Sequence, residues 1–241
     1  MRISPPCATT PTPIARSPLG KREQSLVYDV VMRLPVLAWS TALALTSAVS
    51  LAEYMRAANP APPSGAYAVN IAMRLSVIAY LVILAASVVI RRPPIGKARG
   101  AEPRISALIG TFLVTAVVLF PRRELSLPAS FGSMLLIVAG DASAIFVLAY
   151  LRHSFSIMAE ARELVTSGPY RFVRHPLYLA EGCAAIGSVV QFLSAWTAML
   201  VVVQIACQIR RMRNEEIVLM EVFPEYSRYK GKTPRIIPGL Y

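Results

Sequence analysis

Cysteine is scarce. Cys7, Cys183 and Cys207 are the three in 241 residues, and no spacing pairs them. That argues against a disulfide framework and against a cysteine-built zinc site. Acidic residues are few as well, 13 against 25 Lys and Arg, for a net charge of +12. In a soluble protein such an excess would suggest nucleic acid as a partner. The first 25 residues hold five prolines with Ser and Thr but no apolar run of the secretory kind. They are expected to form a disordered cytosolic tail instead of a signal peptide. No internal repeat is visible, and no linker is long enough to separate a pair of domains.

What is abundant is apolar sequence: 55% of the residues are hydrophobic and the mean hydropathy is +0.53. A soluble domain of this length needs a more polar surface. The apolar residues come in blocks, at Val36–Leu51, Val69–Ile90, Ile105–Phe120, Ala129–Leu151 and the longer Leu177–Ile209. A bilayer core about 30 Å thick takes roughly 20 helical residues, so each of the first four fits one span. The fifth would reach about 50 Å as a single helix, and reads as a hairpin turning near Gln191–Trp196. The expected fold is therefore all-α and multi-pass, with about six spans. The positive-inside rule then accounts for the charge. With both termini cytoplasmic, Arg56, Arg122 and Arg123 fall outside, Arg74 sits near the outer end of a span, and all other Lys and Arg lie inside. This reading replaces nucleic acid with a membrane, the inner membrane if the cell is bacterial. Residues 1–28 form the tail, 29–151 four spans, and 152–241 a loop, hairpin, helix and tail.

Chemistry-bearing residues are sparse in the first four spans. Asp141 is the exception, and an intramembrane carboxylate is by default a functional candidate; the plainer reading is a hydrogen bond to a neighbouring helix. Polarity gathers in the last third. "GPYRFVRHPLY" (168–178) packs Arg171, Arg174 and His175 between prolines, and non-helical backbone at a membrane boundary is tolerated where it lines a cavity. "RRMRNEEIVLMEVFPEYSRYKGKTPRIIPGLY" (210–241) continues the last span as a helix, in which Arg211 and Glu215 share a face. That helix should stop at Phe223, before Pro224, and give way to an irregular tail. Because a hairpin joins them, the two stretches are expected to meet and to form a polar cytosolic pocket. On composition alone, basic residues at a span's end could equally be anchors and Arg-x-x-x-Glu a surface pair.

The order of residues carries more. "LVTSGPYRFVRHPLY", a hydrophobic hairpin, then "RMRNEEIVL" and "EYSRYKGKTPRIIPG" closely resembles the isoprenylcysteine carboxyl methyltransferase family of integral membrane enzymes, whose signature phospholipid and small-thiol methyltransferases share. The likeness runs from Arg162 to Gly239. Ala180 departs from it where Gly is common, and Phe223-Pro-Glu-Tyr226 is one residue shorter than the usual pattern. The resemblance implies S-adenosylmethionine as methyl donor. It implies that Arg162, Glu163, Leu164 and Val165 edge the cofactor pocket, largely through backbone. Tyr170, Arg174, His175, Pro176, Leu177 and Tyr178 would enclose the cofactor, with Glu215 and Glu216 in contact. Arg211, with Glu215, would meet the reacting end of the substrate. No metal is implied, and the lack of any Gly-x-Gly-x-x-Gly agrees with a cofactor held outside a Rossmann domain.

Methyl transfer from a sulfonium asks mainly for alignment and dryness. A carboxylate such as Glu215 suits the sulfonium, and the planar fork of Arg211 suits a carboxylate or phosphate. The expected acceptor is lipidic or lipidated, first of all a prenyl-cysteine carboxylate, with phospholipid amines and small thiols as alternatives. An NADPH-dependent sterol or enone reductase, which has a related hairpin, is a further reading. A transporter would need breakers in several spans, and the first four show little beyond Asp141.

Overall fold

A computed structural model describes residues 19–57 and 65–237. Most of the Pro-rich tail and the end of the chain after 237 lie outside the described residues. Helix α1 (Leu19–Ala57) starts ten residues ahead of the boundary at 29. After Pro18 the residues Gly-Lys-Arg-Glu-Gln contain several good helix formers and no further breaker until Pro35. Helices α2 (Gly65–Ile90), α3 (Glu102–Phe112, prolonged as a 3-10 helix to Leu119) and α4 (Leu127–Leu151) follow. Four segments of these helices are long and apolar enough to cross a membrane: Asp29–Ala57, Tyr67–Ile90, Glu102–Leu119 and Leu127–Ser154. Large apolar side chains such as Leu34, Leu45, Val82, Val118 and Phe146 stay exposed along their outer faces, as they would against lipid.

The fifth apolar block is two helices. α5 runs Pro176–Gln191 and α6 runs Ala195–Val222. The break falls at 192–194, where Ser194 accepts from the backbone of Thr197 and Thr197 accepts from that of Ser194. This capping box satisfies end groups that would otherwise be orphaned. α5 has only 16 residues, about 24 Å of helix, and the second half of α6 carries Arg210, Arg211 and Arg213. α6 ends at Val222 with Phe223 as its cap, as Pro224 demands. The stretch after it is not irregular throughout: Tyr226–Lys232 forms helix α7, because Pro224 and Pro234 bracket a proline-free segment.

α5 packs along α4, α6 along α3, and α2 lies between α1 and α4, while α5 and α6 meet sparsely. The α4–α5 approach depends on Gly140, where a Cβ would come within 2.5 Å of the backbone N of Ala184; small residues let membrane helices close to this distance. Val36, Leu84, Val88, Ala144 and Leu148 fill the shared core. Asp141 accepts from Ser76 at 2.9 Å, so it ties α4 to α2 as the plainer reading held. The only strands among the described residues are β1 (Gly96–Lys97) and β2 (Glu160–Ala161), paired antiparallel. They pin the loop before α5 to the α2–α3 connection.

Candidate functional site

Glu216 organises the region from behind. It lies 2% exposed on α6, and three cations and the His175 ring converge on it. Arg174 Nη1 donates at 2.6 Å, His175 Nε2 stands at 3.1 Å, Arg235 donates to both oxygens at 2.9 Å, and Lys230 Nζ is 3.9 Å away. Burial pushes this carboxyl up, but the hydrogen bonds from His175 and Arg235 and the charge of Arg174 outweigh it and hold it down at about 2. The loop (Arg174, His175), helix α6 and the C-terminal tail (Lys230, Arg235) are thus stitched at one point. Backbone bonds repeat the stitch: Arg174 N donates to Pro234 O at 2.9 Å and His175 N to Arg235 O at 3.1 Å. Tyr229 adds its hydroxyl to Tyr170 O at 2.6 Å. Burial pushes Tyr170, Tyr226 and Tyr229 up, Tyr229 to about 12, so all three are neutral near pH 7.

The loop enters this junction through Gly168, whose φ is +58°. A Cβ there would also collide with the Tyr150 ring, so glycine is required on both counts. Tyr150 and Ser167 share a hydrogen bond of 2.7 Å that closes the same turn.

In front of the Glu216 junction lies a cleft with an empty volume, open mouth included, of about 770 Å³. Ten of the residues expected at the cofactor line it: Arg162, Glu163, Leu164, Val165, Tyr170, Arg174, His175, Leu177, Tyr178 and Glu215. Three do not. Glu216 stands behind the wall with both oxygens engaged, and Pro176 opens α5 beneath it. Arg211 sits deeper, 3% exposed, with its guanidinium 4.8 Å from the centre of the Tyr178 ring and Nε 3.3 Å from Glu215. His175 and Tyr178 stack at 5.5 Å, His175 Nδ1 is 3.9 Å from Glu215, and the Tyr178 hydroxyl donates to Glu215. The two sequence-distant stretches therefore do meet.

Other groups escaped the sequence reading. Ser156 and Glu160 line the cleft, and Arg162 belongs as much to a buried ionic cluster as to a backbone edge. Asp29 of α1 pairs with Arg33 at 2.5 Å, Arg91 at 2.9 Å and Arg162 at 3.1 Å, and Glu160 pairs with Arg162 at 2.6 Å. On α5, Glu181 accepts from Tyr80 at 2.9 Å and lies within electrostatic reach of Arg211 and Glu215. A lone Glu in an apolar run was its signal; Glu160 and Ser156 had none, since only folding joins them to the cleft. Among the described residues no group of three or more His, Cys, Asp and Glu is placed to hold a metal ion.

Long apolar helices carrying a polar cleft at one end, walled by a proline-bounded loop and a charged helix, point to an integral membrane protein. Residues 133–221, from α4 to the end of α6, match the isoprenylcysteine carboxyl methyltransferase family. That match takes in 89 of the chain's 241 residues, and the likeness is to that segment. The chain is also 37% identical over 79 residues to the cobalt-zinc-cadmium resistance protein CzcN of Cupriavidus metallidurans, covering 32% of this chain and 36% of that protein. With the nickel-cobalt-cadmium resistance protein NccN of Alcaligenes xylosoxydans xylosoxydans it is 32% identical over 83 residues, covering 34% and 38%. The matched segment thus spans little more than a third of each relative.

Proposed function

We propose that this chain is a multi-pass S-adenosylmethionine-dependent methyltransferase acting on a membrane-partitioned acceptor. In this reading α5 and α6 are the fifth and sixth spans, both termini are cytoplasmic, and the cleft opens at the inner face. The observation that carries it is the convergence of loop 162–178 and Glu215 of α6 on one cleft, within the segment that matches the family.

The residues suit the donor. S-adenosylmethionine is a cation with an aromatic base, hydroxyls and an amino-acid end, and the cleft offers rings, carboxylates and apolar side chains: Tyr170 and Tyr178, Glu163 and Glu215, Leu164 and Leu177. When bound, that group supplies a methyl already activated on sulfonium. Glu215, fixed between Tyr178 and Arg211, places negative charge at the inner end of the cleft, where a sulfonium is favoured. Arg211, held by Glu215 and the Tyr178 face, presents its fork to the acceptor's head. Leu164 and Leu177 help exclude water, and the sparse α5–α6 contact lets an acceptor's tail enter from the bilayer. Alignment and dryness are the protein's main contribution to an in-line displacement.

A prenyl-cysteine carboxylate is the first acceptor to test; a phospholipid amine or small thiol is the alternative. A reductase using NADPH fits less well, since its several phosphates would meet Glu160, Glu163 and Glu215 and find only a single unpartnered N–H on each of Arg162 and Arg174. Metal resistance, the role named for both relatives, would run in this chain through the modified acceptor. The test is to incubate membranes holding the protein with methyl-labelled S-adenosylmethionine and identify the labelled product. Arg211→Ala and Glu215→Gln should each cut labelling at least tenfold; undiminished labelling in both overturns the site assignment.

A further inference from the structure

Buried polar groups in folded proteins almost always have partners, and an orphan asks for an explanation. Two orphans lie on neighbouring side chains of the cleft wall. Glu160 Oε2 accepts from Ser156 Oγ at 2.9 Å and from Arg162 Nη2 at 2.6 Å, but its Oε1 has no partner. Arg162 spends Nη1 on Arg92 O and Nη2 on Asp29 and Glu160, and its Nε–H has no partner. The two side chains are 2% and 0% exposed. The Asp29 cluster and the β1–β2 pairing hold them before any ligand arrives. One spare acceptor and one spare donor, on residues joined at 2.6 Å, match the two charged ends of an α-amino acid.

We propose that Glu160 and Arg162 are the receptor for the zwitterionic amino-acid end of the methyl donor, Glu160 Oε1 taking the ammonium and Arg162 Nε–H the carboxylate. The inference rests on the S-adenosylmethionine reading. It extends the cofactor site to the side chains of two residues, one of which the sequence did not single out.

Position supports the assignment. In the donor only two methylene groups separate the α-carbon from sulfur, so the amino-acid receptor must adjoin the reacting end. Ser156 supplies that adjacency: its hydroxyl donates to Glu160 and its carbonyl lies 3.5 Å from Arg211 Nη2. The other charged groups of the wall are less suited. Glu163 is exposed and paired with Arg92. Arg174 also has an unpartnered Nε, but the carboxylate beside it, Glu216, has both oxygens taken. Glu215 is committed to Tyr178 and Arg211.

The test is calorimetric titration of the full-length, detergent-purified protein with three probes: S-adenosylhomocysteine, its analogue lacking the α-amino group, and 5′-methylthioadenosine, which lacks the whole amino-acid end. Wild-type protein should bind S-adenosylhomocysteine at least tenfold more tightly than either truncated probe. Glu160→Gln should weaken S-adenosylhomocysteine about tenfold, leave 5′-methylthioadenosine within twofold, and abolish the penalty for losing the amino group, the signature of direct coupling. Equal wild-type affinity for all three probes overturns the proposal without touching the nucleoside site, and so does a parallel loss of all three in Glu160→Gln. If that variant does not fold, the wild-type comparison of the amino and desamino probes decides alone. Failure of wild-type protein to bind any probe overturns the S-adenosylmethionine reading itself, and the receptor with it.

Discussion

Glu216→Gln should loosen the end of the protein that holds the cleft without removing any of its lining residues. The native carboxylate is surrounded by Arg174, His175, Lys230 and Arg235, and the substitution leaves those groups around a neutral amide. Two routes give the size. The carboxyl is held at about 2 against an ordinary 4.5, a difference worth roughly 3 kcal/mol at 1.36 kcal/mol per pH unit. Breaking a buried ion pair by removing one partner costs about 3–5 kcal/mol. At roughly 2–4 °C per kcal/mol for a chain of this size, the loss is on the order of 6–12 °C. Because the folded carboxyl lies below its unfolded value, its contribution is complete above about pH 4.5 and disappears as pH falls towards 2. Thermal melts of purified wild type and variant at pH 7, 5 and 3 should therefore converge as pH drops. A variant melting within 2 °C of wild type at pH 7, or a gap unchanged at pH 3, would refute the claim that this carboxylate ties loop, helix and tail together.

Other outcomes follow from the same geometry. Gly168→Ala forces a side chain into positive φ and onto the Tyr150 ring; a loss of about 1–3 kcal/mol, read as a lower melting temperature, is expected, and an unchanged melt would mean the turn is not as described. Gly140→Val should separate α4 from α5 and sharply lower the yield of folded protein in membranes, whereas Gly132→Val, which meets nothing nearby, should express normally. Glu181→Gln removes a charge facing Arg211 and should raise the acceptor's KM while the melting temperature holds; an unchanged KM would place Glu181 outside the acceptor path. A long-tailed acceptor should outperform its short-tailed, water-soluble counterpart by at least tenfold in kcat/KM, and equality would remove the motive for lateral entry.

Much of this was legible in the chain itself, for different reasons in different places. The places of the first four spanning segments followed from runs of apolar residues, because a span needs only enough of them in a row. The stop at Phe223 followed from Pro224, and the break before Ala195 from the excessive length of Leu177–Ile209. α7 was missed because Tyr226–Lys232 has no apolar stripe, only freedom from proline between two breakers. The nearness of His175 and Glu215 could be argued from topology, since a short turn returns the chain to the side it left. Which of two adjacent glutamates faces the cleft could not. Glu215 and Glu216 are about 100° apart on the α6 barrel, and only the placement of Arg174, Arg235 and Tyr178 turns one inward and the other to the scaffold.

Sequence alone thus decided the local questions: which segments suit lipid, where helices must end, and that cations and breakers crowd one end of the last third. Tertiary structure decided the long-range pairings. Asp29 meets Arg162 across 133 positions, and Glu160 reaches the cleft wall beside it. Burial of a charge depends on every neighbour that shields or answers it, and those neighbours are chosen by packing, not by proximity along the chain.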